Sequence, residues 1–371
     1  MKVLFITKHN PFDVGGSSIA SLSFIQLFSE LSNSNLDLVM AAECFEKQKC
    51  EMVIKQEFLV HPRSVVRLLL EYPRGIFHRY NTFIKKSKIL SKSYDYVILD
   101  NSSISSTFIR KLNKKKVKTI TIHHNYEPEY FLADNKTVLK YLLLPLVIRN
   151  EKCAYKLSWM NIFLTEDDKS KFVCKYGKTH AKNISCFFMI KQYVENTEGK
   201  KYEGIITCSL ENYQNIRCIT KFVKDYKDSI SILDSLVIAG RNPNRELIEM
   251  LVNYSNIFLF PNPQNMSKLL NQVKFYICPI EDGGGIKIRC FDAISNYMPV
   301  IIHKNSIRGY EVLRDQGLFF EYHDNNSFKF AIQKVNELLS DKYYKKKYKY
   351  IIEEYYSIKS AIKKLKIEGV Y

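Results

Sequence analysis

Residues 277–302 read ICPIEDGGGIKIRCFDAISNYMPVII. An apolar run closes on a proline. Glu281 and Asp282 follow, then Gly283, Gly284 and Gly285, then Lys287, Arg289 and Asp292. Glycines let a backbone come close to a phosphate, and their N–H groups can turn toward its oxygens. A helix opening just afterwards adds its positive end. Lys287 and Arg289 add full charges, and an arginine can hold two phosphate oxygens at once. Asp292, one turn further on, can accept hydrogen bonds from vicinal hydroxyls such as those of a ribose. The order of parts suits a nucleoside diphosphate.

Two other places carry chemistry. His123 and His124 close the run VKTITI, and Gly15 and Gly16 follow VLFIT. In open α/β sheets ligands bind where strands end at their carboxyl edges, so each of these is a candidate position.

The elements that must hold these residues follow from periodicity. Residues 3–7 read as a buried strand, residues 8–18 as a glycine-bearing loop, and residues 20–31 as a helix with apolar positions at helical spacing. Strand, glycine loop and helix open a doubly wound sheet. Further strands are expected at 36–41, 96–99, 117–122 and 161–164, with helices from about residue 105, at 138–157 and at 165–176. A polar stretch, 195–203, reads as a linker. The rhythm then restarts with strands at 205–208, 235–239, 256–260, 274–278 and 300–303, and helices at 215–226 and 291–296. The tail, residues 341–367, reads as helical and basic.

The length of 371 residues makes two domains the default. Nine cysteines, none in CxxC spacing, suggest neither a disulfide framework nor a zinc site, and fit a reducing cytoplasm. The amino terminus carries only a short apolar run, too short for a signal peptide. No apolar stretch approaches the length of a bilayer span. A net charge of +18 implies an anionic partner.

The stretch PIEDGGGIKIRCFDAISNYMPVI resembles the motif of family 4 GT-B glycosyltransferases, P…GxGxxxKxxEAxxxGxPVI. Gly283 and Gly285 match its glycines, Arg289 stands at its lysine, Asp292 at its glutamate, and Pro299, Val300 and Ile301 match the closing residues. HHNYEPEYF from His123, the segment NEKCAYKLSWMNIFLTEDDKSKFVCKYG, LVIAGRNPN with Gly240 and Arg241, and EEYYSIKSAIKKL near the end are similar to further stretches of the same enzymes. The resemblance covers nearly the whole chain. It departs at Cys208–Ser209, where a glycine is expected, and Arg217 and Lys221 are only candidates for the basic pair on the next helix.

The resemblance implies an α/β fold of two Rossmann-like doubly wound domains facing across a cleft, with a C-terminal helix crossing back. Residues 1–193 plus 350–371 would form the acceptor domain and residues 200–349 the nucleotide-sugar donor domain. Catalysis would fall to His123, His124, Lys287 and Arg289. Gly15, Gly16, Gly240, Arg241, Glu281, Asp282, Gly283, Gly284, Gly285 and Asp292 would bind the donor. The reaction implied is sugar transfer from a nucleotide-diphosphate sugar with retained configuration. The chain has no DxD triplet, so neither a metal nor another cofactor is expected. An inactive scaffold or partner subunit, or a nucleotide-sugar epimerase, are the alternatives on the same fold.

Residues 61–92 hold eight basic residues against Glu71 alone, with apolar residues interleaved. Such a segment suits an anionic membrane surface. A lipid-linked oligosaccharide acceptor, used in surface polysaccharide synthesis at the inner face of the cytoplasmic membrane, would explain it. No nucleic-acid-binding signature is present.

Overall fold

The computed structural model describes residues 1–12, 16–41, 53, 55–59, 92–134, 139–185, 199–282 and 284–366. Gly15, Gly283 and the basic segment up to residue 91 lie outside them. The chain divides into two compact units, Met1–Phe187 with Ile358–Tyr371, and Phe188–Ser357.

The first unit carries strands β1 (Val3–Thr7), β2 (Leu36–Ala41), β3 (Lys55–Leu59), β4 (Tyr96–Asp100), β5 (Lys118–His123), β6 (Met160–Phe163) and β7 (Ala181–Asn183). They form one sheet in the order β3-β2-β1-β4-β5-β6-β7. Every pairing is parallel, with Val3 opposite both Leu36 and Tyr96. Strands β1 and β4 are buried throughout, as strands covered on both faces must be. The helices are α1 (Gly16–Leu31), α2 (Ser102–Lys114), α3 (Glu127–Asp134), α4 (Leu139–Leu157) and α5 (Glu166–Tyr176). Thr165 caps α5 by accepting from Asp168 N–H, and three acids in the first turn suit the positive helix end.

The second unit repeats the plan with β8 (Tyr202–Ser209), β9 (Leu236–Arg241), β10 (Ile257–Pro261), β11 (Val273–Cys278), β12 (Val300–His303) and β13 (Phe319–Tyr322). Its sheet runs β10-β9-β8-β11-β12-β13, again all parallel. Its helices are α6 (Tyr213–Asp225), α7 (Lys227–Ile230), α8 (Arg245–Leu251), α9 (Met266–Asn271), α10 (Cys290–Ser295), α11 (Glu311–Asp315), α12 (Asn325–Ser340) and α13 (Tyr344–Tyr355). The chain then re-enters the first unit through α14 (Ile358–Lys366), which packs on α1. The core of the second unit gathers Ile219, Phe222 and Val223 of α6 against Ile206, Ile238 and Ile277 of the sheet.

One expectation gains detail and another needs correction. The tail is helical in two pieces, because α13 and α14 are separated at Tyr356 and Ser357. The buried Tyr356 donates from its hydroxyl to Gly309 O at 2.9 Å, which fixes the chain there. The linker reading of 195–203 runs too far, because Tyr202 and Glu203 already belong to β8.

In both sheets the strand order reverses beside the first strand, at β1/β4 and at β8/β11. The crevice outside the carboxyl ends of such a strand pair is where doubly wound folds take ligands.

Candidate active site

In the second unit the carboxyl end of β11 runs through Pro279 into the glycine loop and then into α10. Lys287 is buried under this loop, and its ammonium donates to Asp282 O and Gly284 O, both at 3.2 Å. Because C=O and N–H of one peptide point oppositely, the Gly285 amide is turned away from that ammonium. Gly285 has φ +70°, a left-handed conformation that glycine adopts without strain. The Tyr310 hydroxyl holds the other side of the turn, donating to Lys287 O at 2.8 Å.

Arg289 is the residue just before α10, over the ends of β8 and β11. Its Nη2 donates to Asn215 Oδ1 at 2.8 Å, and its Nη1 is buried with no acceptor. The thiols of Cys208, Cys278 and Cys290 surround it electrostatically. A hydrogen bond from Cys290, with Arg289 and Lys287 adding their charge, holds the Cys278 thiol below the ordinary thiol range against its burial. Asp292 lies in the first turn of α10 and accepts from Thr207 Oγ1 at 3.4 Å.

Helix α6 is stitched to the loop. Gln214 Nε2 donates to Asp282 O at 3.0 Å and to Asp282 Oδ1 at 2.8 Å. Arg217 pairs with Asp282, and Lys221 with Glu281 at 3.1 Å. Glu281 and Asp282, expected on the donor, therefore engage the cations of α6. Gly240 sits in β9 opposite Cys208, and a Cβ there would overlap the Cys208 carbonyl, so this glycine serves strand packing. Arg241 is exposed at the end of β9, where its carbonyl accepts Leu210 N–H at 2.9 Å.

In the first unit, the ends of β1, β4 and β5 bring a second polar cluster together. Asp100, fully buried, accepts from Ser21 Oγ at 2.5 Å and pairs with His124 Nε2. Burial opposes its charge. The His124 ring beside it and the bonds from His124 and Ser21 prevail and hold the carboxyl below its usual range. His9 lies close by, and burial, with Lys8 adding to it, brings its imidazole down to about 4. The next residue, Asn101, has φ 97°, unusual for a residue with a side chain, and accepts Ser103 N–H to cap α2. Its Nδ2 donates to Glu127 Oε1 at 3.1 Å. Gly16 is the exposed first residue of α1.

The two histidines part company. His123 is wholly buried, stacks on Phe163 with centroids 4.6 Å apart, meets Phe172 edge-on, and bonds Asn161 Oδ1 at 2.8 Å. Burial brings it down to about 4, so its ring is a neutral core group. His124 faces the polar cluster. Sequence reasoning passed over Asp100, Ser21, His9 and Asn215. The acid closing an apolar strand at Asp100 was the one signal available.

Glu151 of α4 anchors the start of α3. It accepts Glu127 N–H at 2.8 Å and Tyr176 OH at 3.0 Å. Burial pushes its carboxyl from 4.5 up to about 8 despite those bonds. The folded chain thus keeps a proton that the unfolded chain releases. Its stabilising share is complete below pH 4.5 and is lost as pH rises through about 8. Glu151→Gln is expected to remove this slope. Melting temperatures should match near about pH 5 and favour the variant near about pH 9; parallel declines would contradict it.

Among the described residues no cluster of three or more His, Cys, Asp or Glu could hold a metal ion, and no helix is long and apolar enough to cross a membrane. A hollow of about 680 Å³ lined by Lys92, Tyr94, Lys115 and Lys118 lies at the amino ends of β4 and β5, away from these clusters.

The fold these units make is that of the GT-B glycosyltransferases, to whose crystal structures the chain is similar from end to end. WaaG, a glycosyltransferase involved in lipopolysaccharide biosynthesis, matches at TM-score 0.66 and 12% identity, covering 100% of both chains. HepE of Anabaena, solved in complex with UDP, matches at TM-score 0.65 and 11% identity over 99% of each chain. Sucrose-phosphate synthase from Thermosynechococcus elongatus matches at TM-score 0.69 and 11% identity over 99% of this chain and 98% of its own. No family model and no curated protein matches the sequence.

Proposed function

We propose that the protein is a glycosyltransferase that moves a sugar from a nucleotide-diphosphate sugar to a saccharide acceptor. The observation that carries this reading is the placing of Arg289 at the ends of β8 and β11, beside a glycine loop shaped by the buried Lys287. Breaking a sugar–phosphate bond leaves an extra negative charge on the diphosphate. A fixed guanidinium and loop amides stabilise that charge without having to reorganise. The GT-B fold supports the same assignment, since HepE is solved with UDP and also with UDP and glucose.

The donor phosphates belong to the second unit, with Arg289 as the principal cation and Asp292 near the ribose. In the first unit, the pair of His124 and Asp100 is the polar group suited to hold a sugar hydroxyl. The leaving group is stabilised by side chains rather than by a metal, and the configuration is retained. The acceptor is lipid-linked, and the net charge of +18 favours work at an anionic cytoplasmic membrane face. Surface polysaccharide synthesis is the setting that fits such an acceptor.

Incubation with UDP-, GDP-, ADP- and CMP-sugars and a lipid-linked saccharide tests this reading. Release of nucleotide together with a lengthened acceptor is expected for one donor. Binding without turnover would mark an inactive subunit, and interconversion of the sugar an epimerase.

A further inference from the structure

We infer that Asn215 is a positioning residue that sets the Arg289 guanidinium for the donor diphosphate. This rests on the donor reading above. Asn215 lies in the first turn of α6, where its own N–H is taken by Asn212 Oδ1 at 3.2 Å. Its side-chain amide has one satisfactory orientation. Nδ2 donates to Ser209 O at 2.8 Å, which leaves Oδ1 facing Arg289 Nη2 at 2.8 Å. Turned over, the amide would set a donor against the guanidinium and an oxygen against a carbonyl. Asn215 is buried, so water does not replace either bond.

The consequence falls on the other half of the fork. Nη1 of Arg289 is shut from solvent without an acceptor, and among the described residues it is the one cationic atom so placed. A buried donor left unmade is costly, and an arginine with one amino group fixed and the other unanswered is a half-filled anion seat. A phosphate oxygen completes it. The bond from α10's leading residue to α6 reaches across the ends of β8 and β11, where the strand order reverses. Asn215 therefore acts through Arg289, and its loss should matter only while Arg289 is present.

The test is a double-mutant cycle on the full chain, read by calorimetric titration with whichever of UDP, GDP and ADP binds the wild type most tightly. Asn215→Ala is expected to weaken binding about 10–100-fold, the loss of one charge-assisted hydrogen bond. In the Arg289→Ala background the same change should alter binding by less than about 2-fold. Asn215→Asp is the second variant. Its carboxylate still accepts from Arg289 and competes with the diphosphate for the guanidinium, so binding should fall at least as far as with alanine, and melting temperatures taken alongside report the cost of setting an oxygen against Ser209 O. Equal losses in both backgrounds, or either Asn215 variant binding like the wild type, would overturn the inference and leave the donor reading standing. A wild type that binds none of the three would end the donor reading, and the inference with it.

Discussion

Arg289→Ala is expected to lower the rate of sugar transfer by about 10²–10³-fold, the usual effect of removing one preorganised donor from a developing oxyanion. The loss should fall chiefly on kcat, because the extra charge on the leaving diphosphate exists only as the bond breaks. Burial makes the effect large. The guanidinium sits over strand ends with one amino group on Asn215, where solvent screens little of its field. Arg289→Lys keeps the charge but not the fork, so it should fall between the wild type and alanine. Lysine is also the residue at this place in the motif the sequence resembles. Initial rates for the three proteins, with melting temperatures alongside, make the comparison. An alanine variant within about 2-fold of the wild type would remove Arg289 from the chemistry.

The largest effect on stability is expected at Asp100. Asp100→Ala should cost about 3–5 kcal/mol, because removing one partner of a buried pair strands the other. The groups left without their acceptor are His124, only 7% exposed, and the hydroxyl of Ser21. The pH dependence has a definite sign. The folded carboxyl titrates below its ordinary value of 3.8, so its stabilisation is present above that value and is lost as pH falls through the folded one. Urea unfolding at about pH 7 and about pH 3 should show the gap between wild type and variant narrowing in acid. A gap of the same size at both would mean that the aspartate contributes by packing alone.

The central strands were legible because parallel strands covered on both faces read as short, mainly apolar runs, as VLFIT and YVIL do. Strands β3, β7 and β13 were not. KQEFL and FFEY mix polar and apolar residues, and AKN is three residues long. Such short or outer strands are fixed by the neighbour they pair with, not by their own pattern. The break between α13 and α14 was hidden for a related reason. It depends on Tyr356 reaching Gly309, 47 positions away. At the candidate site, the glycines, cations and acid were readable because all follow one strand. Asn215 was not, since an asparagine at a helix start looks like a cap, and its bond to Arg289 joins residues 74 apart. His123 and His124 looked alike by type. Only the enclosure of one ring by Phe163 and Phe172 separates them.

A crystal structure of the protein with a bound nucleoside diphosphate would interrogate the donor assignment most directly. The account predicts phosphate oxygens within hydrogen-bonding distance of the Arg289 guanidinium, beside Gly284 and Gly285, with the ribose near Asp292. A diphosphate seated elsewhere on the chain, with Arg289 still bonded only to Asn215, would contradict it.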